Sequence, residues 1–517
     1  MESKPAETHV VEGRLSPTSS PQPDSPETRQ RQYVSKLVPS DPKHVTVLFF
    51  LVATFQAVIN GYCTSMMNAL NILPSYTDYF TLTTATLSLN TASVWVGGIV
   101  AGFFSGQFCD WQGRKWTMFW SAVLCIIGAI IQTAAQNIGM FVAARIIIGL
   151  ACGLAGVGAS TYLGETVAVQ HRAYILGYFW DCWFVGSLIS AGITYGTKDI
   201  LSTWAWRAPS LIQIAPPLLA IGILPFIPES PRWLVYQNRV DEALEVLAVS
   251  HAWGDKTDPV VVTEYREITQ TLEFEKTNGS TSVLEIIRTP GNRKRIMLCL
   301  SVAIFSMTMG NNVVSYYLGT MLEQAGVTDM NSQLQVNIVM SVWSLLCAFV
   351  GTVYVDKLGR RWMVILSTAS ATVFLFLTGA FSDLYGNSTN QSGSYAAVAM
   401  MFLFMGSYSA GWTPLSFMYP VEVLNYSTRA TGMALYTFWA NGMGLMITFA
   451  FPYSFDAIGW KTYMINASFN VLTLIYVSIY WVETSGRSLE EVDALMDGEK
   501  HADVPDVLDV LKGKVTV

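Results

Sequence analysis

Two ionisable side chains interrupt stretches that are otherwise apolar. Arg145 lies inside the run near 139–163, and Asp181 inside the run near 174–196. In an apolar medium a charge is costly unless it has a partner or a task. Such residues therefore mark, by default, places that handle ions, protons or polar solutes. A third cluster is uncharged: Asn311, Asn312, Tyr316 and Tyr317 fall close together in one run. Amides and hydroxyls hydrogen-bond neutral polar groups, and aromatic faces cover apolar ones. Trp412, Trp439 and Asn441 extend the same chemistry further along the chain. Catalytic chemistry finds little material. The five histidines (His9, His44, His171, His251, His501) fall mostly in tails and loops, and the seven cysteines form no CxxC pair and no metal-ligand spacing. The expectation is a protein that is not an enzyme, needs no cofactor or metal and keeps its thiols reduced.

Ionic chemistry is also present, and it is written twice. Asp110-x-x-Gly113-Arg114-Lys115 follows one apolar run, and Asp356-x-x-Gly359-Arg360-Arg361 follows another. Glu165 precedes Arg172 by seven residues, and Glu422 precedes Arg429 by the same seven. Two motif pairs in the same order imply a duplicated unit, the build of a transporter that rocks around a central site.

The elements that must position these residues are apolar helices. The chain has 517 residues, of which 51% are hydrophobic and only 13% charged. Its mean hydropathy is +0.37. A soluble surface needs about 25% charged residues, so most of the exterior must face lipid. Runs long enough to span a bilayer, about 20 residues each, sit near 45–72, 91–110, 116–135, 139–163, 174–196, 207–228, 296–320, 334–355, 362–381, 395–420, 430–454 and 462–482. The expected organisation is a disordered tail over 1–43, a six-helix bundle over 44–232, a helical linker over 233–295, a second six-helix bundle over 296–484 and a tail over 485–517. The first tail is rich in Ser and Pro and too polar to fold alone. Outside the spans almost all Lys and Arg fall on one side, which predicts that both termini are cytoplasmic. The sequons at Asn387 and Asn390 then lie outside, as candidate glycosylation sites. No basic run suits nucleic acid; the surroundings implied are a lipid bilayer, and each chain holds both halves of a pathway, which predicts a monomer.

Longer motifs carry a family resemblance. PESPRWL (Pro228 to Leu234), GQFCDWQGRK (Gly106 to Lys115), VDKLGRR (Val355 to Arg361) and VETSGRSLEE (Val482 to Glu491) resemble hallmarks of the sugar porters of the major facilitator superfamily. The resemblance covers about residues 45–497. GNNVVSYYL (Gly310 to Leu318) and YPVEVLNYSTRATGMAL (Tyr419 to Leu435) are similar to the fungal lactose permease and hexose transporter group.

The resemblance implies an all-α membrane protein of major facilitator fold, twelve transmembrane helices in two pseudo-symmetric bundles. It implies transport of a hexose or disaccharide by alternating access, inward across the plasma membrane. A polyol, a quinate-like acid, a secondary metabolite, or a sensor on the same fold stay open as alternatives. Asn311, Asn312, Tyr316, Tyr317, Trp412, Asn441 and Trp180 are the implied substrate contacts, Asn312 matching the family's sugar-binding asparagine. Glu165, Arg172, Glu229, Arg232 and Arg114 in the first half form an implied cytoplasmic gate. Asp356, Arg360, Arg361, Glu422, Arg429, Glu483 and Arg487 are its members in the second.

The chain also departs from the family. The glutamines of the seventh helix are replaced by Ser306 and Met307, and Trp180 stands where an amide is common. Gly61-Tyr62 is followed by Cys63, where proton-coupled relatives carry Asp. Asp181 is the other acid in mid-span, and its expected partner is Arg145, directly or through water. Proton coupling and the inert alternative both remain open.

Overall fold

The computed structural model describes residues 33–278, 290–324, 326–385, 391–424 and 426–485, with positions 492 and 496. Asn387, Asn390 and Arg487 lie outside the described residues, as does the tail before Tyr33.

The first six spans are α1 (Pro42–Leu70), α2 (Thr84–Gln112), α3 (Arg114–Thr133), α4 (Ile138–Thr166), α5 and α6. α5 runs as Val169–Asp181 and Trp183–Thr197, with one residue, Cys182, between them. α6 runs as Trp204–Ile212, Ala215–Ile223 and a 3-10 turn, Leu224–Phe226. Short helices α7 (Pro231–Tyr236), α8 (Val240–His251) and α9 (Pro259–Asn278) connect the halves. The second six are α10 (Pro290–Thr308, resuming as Asn311–Gln324), α11 (Met330–Leu358), α12 (Arg360–Tyr385), α13 (Gln391–Val423), α14 (Tyr426–Ile458) and α15 (Lys461–Tyr480).

Helix starts follow local chemistry. Asp41 caps α1 by accepting from the Lys43 amide, with Pro42 at the first helical position. Asn137 caps α4 through the Met140 amide, and Asp329 caps α11 through the Ser332 amide. Among the described residues ten helices are long and apolar enough to cross a membrane, by length and composition alone. α5 falls short because Cys182 divides it, and α13 interleaves Ser, Gly and Tyr among its apolar residues. The exterior is apolar: Phe103, Trp111, Leu218, Val350, Leu366 and Ile475 all project outward. Lipid accepts such a surface and water does not.

Without a hydrophobic drive between helices, close packing rests on small residues. Gly61 and Gly186 let α1 and α5 touch backbone to backbone: a methyl on Gly61 would sit 1.9 Å from the Trp183 carbonyl oxygen.

Three spans expected to be continuous are broken, α5 at Cys182, α6 and α10, and the last two breaks have a local cause. α6 breaks at Gln213–Ile214, ahead of Pro216-Pro217. α10 breaks at Met309–Gly310, where Gly310 takes φ +106°. The carbonyls freed there need donors in a membrane interior. Asn466 and Asn470, one turn apart on α15, donate to Thr308 O at 2.8 Å and Met309 O at 2.9 Å.

The expected first tail also differs from Tyr33 onward. The Tyr33 and Val34 amides donate to Glu245 of α8 at 3.1 and 2.9 Å, and Val34 and Val38 are buried. Two valines give this short piece enough apolar surface to dock.

Candidate functional site

At one end of the bundle the duplicated motifs become duplicated geometry. Arg114 grips Glu165 with two nitrogens, at 2.9 and 3.0 Å, and reaches Asp110 at 3.1 Å. Arg360 grips Glu422 at 3.2 and 2.8 Å and reaches Asp356 at 2.5 Å. Glu229 accepts from the Arg114 and Lys115 amides; Glu483 accepts from the Arg360 and Arg361 amides. Ser230 donates to Glu165, and Thr484 to Glu422. The Tyr162 hydroxyl donates to Pro228 O at 2.8 Å, and the Tyr419 hydroxyl to Val482 O at 3.0 Å. Arg172 donates to Val167 O, and Arg429 to Leu424 O. Gly113 (φ +97°) and Gly359 (φ +84°) make the turns, and a methyl on either would meet a Glu229 or Glu483 oxygen at 2.5 Å.

Every ion pair just named stays within its own half. A gate that locks one half to the other was expected from these charges; these pairs brace each half instead. The reason is geometric: each Arg starts the helix after its own Gly turn, and the nearest acids end helices of the same bundle. Contacts across the seam at this level include one of these charges. Tyr174 of α5 sits beside Asp356 of α11, and Gly164 of α4 faces Val421 of α13.

α8 and α9 attach to the same end of the first half. His251 Nδ1 lies 2.7 Å from Glu264, and its Nε2 lies 3.3 Å from the Thr166 carbonyl, next to Glu165. Burial alone would push the imidazole pKa down, but the Glu264 carboxylate and both hydrogen bonds outweigh it and hold His251 above its ordinary value. Burial likewise opposes ionisation of Glu264, yet His251, with Arg172 and Arg232 nearby, holds it below its ordinary value. Arg361 donates from its side chain to Ser478 O.

Between the halves lies a cavity of about 130 Å³. Asn311, Asn312, Tyr316, Asn441 and Trp180 line it as the sequence predicts. Tyr317 and Trp412 do not. The Tyr317 hydroxyl is held by Thr448 O at 2.6 Å, and Trp412 is fully buried, its ring nitrogen donating to Thr368 at 3.0 Å. Trp439 is 39% exposed, on the outer surface. The sequence reading missed Asn60, Thr64, Trp95, Trp183, Tyr408 and Thr413, which also line the cavity. Trp183 was findable, since it lies one turn beyond Trp180 on the same helix. Among the described residues no charged side chain lines the cavity.

Contacts between the halves close the cavity above and below. Away from the charged end, Asn68 Nδ2 donates to Asn337 Oδ1 at 2.8 Å and Ser187 meets Ser341 at 3.2 Å. Towards it, the Trp180 and Phe417 rings stand 4.1 Å apart. Asp181 is buried in this seam, where Thr352 of α11 donates to its Oδ2 at 2.6 Å and its Oδ1 has no partner.

The expected Asp181–Arg145 pair does not form. Asp181 projects from α5 across to the second half. Arg145 points into the first half, where Nη1 donates to Cys63 O at 2.5 Å and Nε and Nη2 have no partner. Its surroundings are phenols and thiols: Tyr316 and Tyr76 are near, Cys63 and Cys125 lie 3.6 Å apart, and Cys152 is adjacent. All seven cysteines are free.

Comparisons with known proteins agree with this architecture. The family model described as "Sugar (and other) transporter" matches residues 49–496. The chain is 28% identical to an MFS glucose transporter of Aspergillus flavus, covering 88% of this chain and 90% of that protein. It is 29% identical to a high-affinity glucose transporter of Kluyveromyces lactis, covering 86% and 84%. Among solved structures, the proton:xylose symporter XylE bound to 6-bromo-6-deoxy-D-glucose superposes with a TM-score of 0.78 at 21% identity, over 88% of this chain and 100% of that one. At that identity the likeness is one of fold.

Proposed function

The chain belongs to the sugar (and other) transporter family of the major facilitator superfamily, and on that premise we propose that it carries a neutral sugar, a hexose or disaccharide, by alternating access. One observation carries the reading: among the described residues, the cavity between the halves is lined by amides, hydroxyls and aromatic rings and by no charge. An acid such as quinate would need a cation at the wall, so the neutral solute is favoured. Asn311, Asn312, Tyr316, Asn441 and Trp180 are the contacts proposed for it.

The charged end is the proposed cytoplasmic side, with both termini there, and the protein works as a monomer in the plasma membrane, moving sugar inward. The duplicated networks keep each half rigid while the seam between them opens. Asp181 is the proposed proton site. An ionised carboxylate buried without a cation costs several kcal/mol, and opening the seam at Thr352 admits water to it. Its protonation and the opening are therefore linked.

The test is uptake of labelled glucose, galactose, lactose and quinate into transporter-deficient yeast, with and without a protonophore. Saturable sugar uptake is expected, abolished by the protonophore and by Asp181→Asn. Uptake that survives both would remove the proton from the mechanism. Absence of any sugar flux, with the protein at the cell surface, would remove the sugar.

A further inference from the structure

Arg145 is fully buried, yet of its three nitrogens only Nη1 is engaged, on the Cys63 carbonyl oxygen. Nε and Nη2 have no hydrogen-bond partner. A guanidinium keeps its proton in a protein, so Arg145 cannot answer burial by becoming neutral. A buried charge left without an opposite charge is strongly destabilising. The surroundings therefore call for an anion close by. The acidic groups that bear most strongly on Arg145 are Tyr316, Cys63, Tyr76 and Cys152, and none of them is a carboxylate. Asp181 is turned away, to Thr352.

The choice thus falls between phenols and thiols. An ordinary thiol ionises near pH ~8.5 and an ordinary phenol near ~10, so a thiol gives up its proton first. Three helices bring the thiols together: Cys63 comes from α1, Cys125 from α3 and Cys152 from α4. Cys63 is the middle one. Its sulfur lies 3.6 Å from Cys125 Sγ, and Cys152 is also within hydrogen-bonding reach of it. Two S–H groups can therefore donate to an ionised Cys63, and this is the sulfur on which a charge is best held. The phenols have other partners. Asn90 donates to the Tyr76 hydroxyl, Tyr316 pairs with Thr64, and the Tyr62 hydroxyl donates to Pro209 O at 2.8 Å.

We propose that Cys63 is ionised at neutral pH and that its thiolate and Arg145 form a buried ion pair, a protonatable site within the first half. The site is separate from Asp181 and does not depend on which solute is carried. Cys152, Thr64 and Tyr316 line the cavity, so the pair sits one layer of side chains behind the cavity wall. Water that enters an opened cavity meets that layer first, and a proton passed through it to Cys63 leaves Arg145 without its counter-charge. Wetting of the cavity and protonation of Cys63 are linked in this way.

The test counts protonated thiols in the purified full chain, by the S–H stretching band of its infrared spectrum in detergent. All seven cysteines are free, so with Cys63 ionised six of the seven contribute at neutral pH. Cys63→Asp exchanges one anion for another and is expected to leave the band area unchanged. Cys299→Ala removes a buried thiol of the second half and is expected to lower the area by about one-sixth. A loss in Cys63→Asp equal to that in Cys299→Ala overturns the proposal, because Cys63 was then protonated. Melting temperatures give a second measurement that does not need the Asp variant to fold. Cys63→Ser removes the anion and Cys125→Ser only a donor to it, so Cys63→Ser is expected to melt lower. Cys63→Ser melting as high as Cys125→Ser, or higher, overturns the ion pair as well.

Discussion

The two halves are near copies at the charged end and strangers at the cavity. Arg114 and Arg360 hold equivalent acids, Glu229 and Glu483 cap equivalent turns, and Tyr162 and Tyr419 reach equivalent carbonyls. At the cavity the second half brings three amides, Asn311, Asn312 and Asn441, and the first brings one, Asn60, whose nitrogen donates to Gln56 O of α1. The halves do the same mechanical task at the charged end, so one solution serves twice. A solute has no two-fold axis, so its two walls have no reason to match.

The largest effect should come from breaking the buried pair. In the first half Arg114 and Glu165 are 3% and 1% exposed. Removing Arg114 strands a buried carboxylate, which costs about 3–5 kcal/mol. Arg360 faces Glu422 at 15% exposure and Asp356 at 28%, where water can compensate. Thermal unfolding in detergent should therefore fall further for Arg114→Ala than for Arg360→Ala; equal losses would mean that the copies are as alike in energy as in outline. Next come the turns. Gly113→Ala and Gly359→Ala each combine positive φ with a methyl pressed on a carboxylate, and should each cost ~1–3 kcal/mol. A harmless substitution at one turn alone would break the equivalence.

At the cavity the expected difference is smaller and opposite in kind. Asn311→Ala should raise the sugar KM about three- to tenfold, the ~0.5–1.5 kcal/mol of a hydrogen bond. Asn60→Ala, whose amide already serves α1, should raise it less. Similar values would show that the walls share the sugar after all. The smallest effect concerns α8 and α9, which attach to the first half through His251. A raised imidazole pKa gives stability that is full below the unfolded value, about 6.5, and is lost as pH rises through the folded value. Glu264, with a lowered pKa, gives stability that is lost only as pH falls through its folded value. The pair should hold best between these limits. In His251→Gln the loss of melting temperature on the alkaline side should flatten; an unchanged slope would clear His251 of it.

Much of this was legible beforehand. The twelve runs, the polar linker, the two charged motifs and their family resemblance come from local composition and spacing. A helix long enough to cross lipid must be apolar, and a Gly turn followed by Arg is the same turn wherever it recurs. Amide placement on the seventh span was legible too, because an amide in an apolar run needs a partner, and Asn311 and Asn312 do line the cavity.

The direction in which a side chain points was not legible. A soluble helix announces its buried face by alternating polar and apolar residues. A membrane helix is apolar on the side facing lipid and on the side facing protein. Its sequence therefore gives depth and withholds azimuth. Trp412 and Trp180 look alike in sequence, yet one is packed against Thr368 and the other faces the cavity. Asp181 and Arg145 look like partners by depth, yet α5 turns the acid across the seam to Thr352 while α4 turns the base towards Cys63. The break in α10 depends likewise on what lies opposite, as the pairing of Asn466 and Asn470 with the freed carbonyls of Thr308 and Met309 makes plain. Helix rotation is set by contacts between segments far apart in the chain, so only the packed tertiary structure decides it.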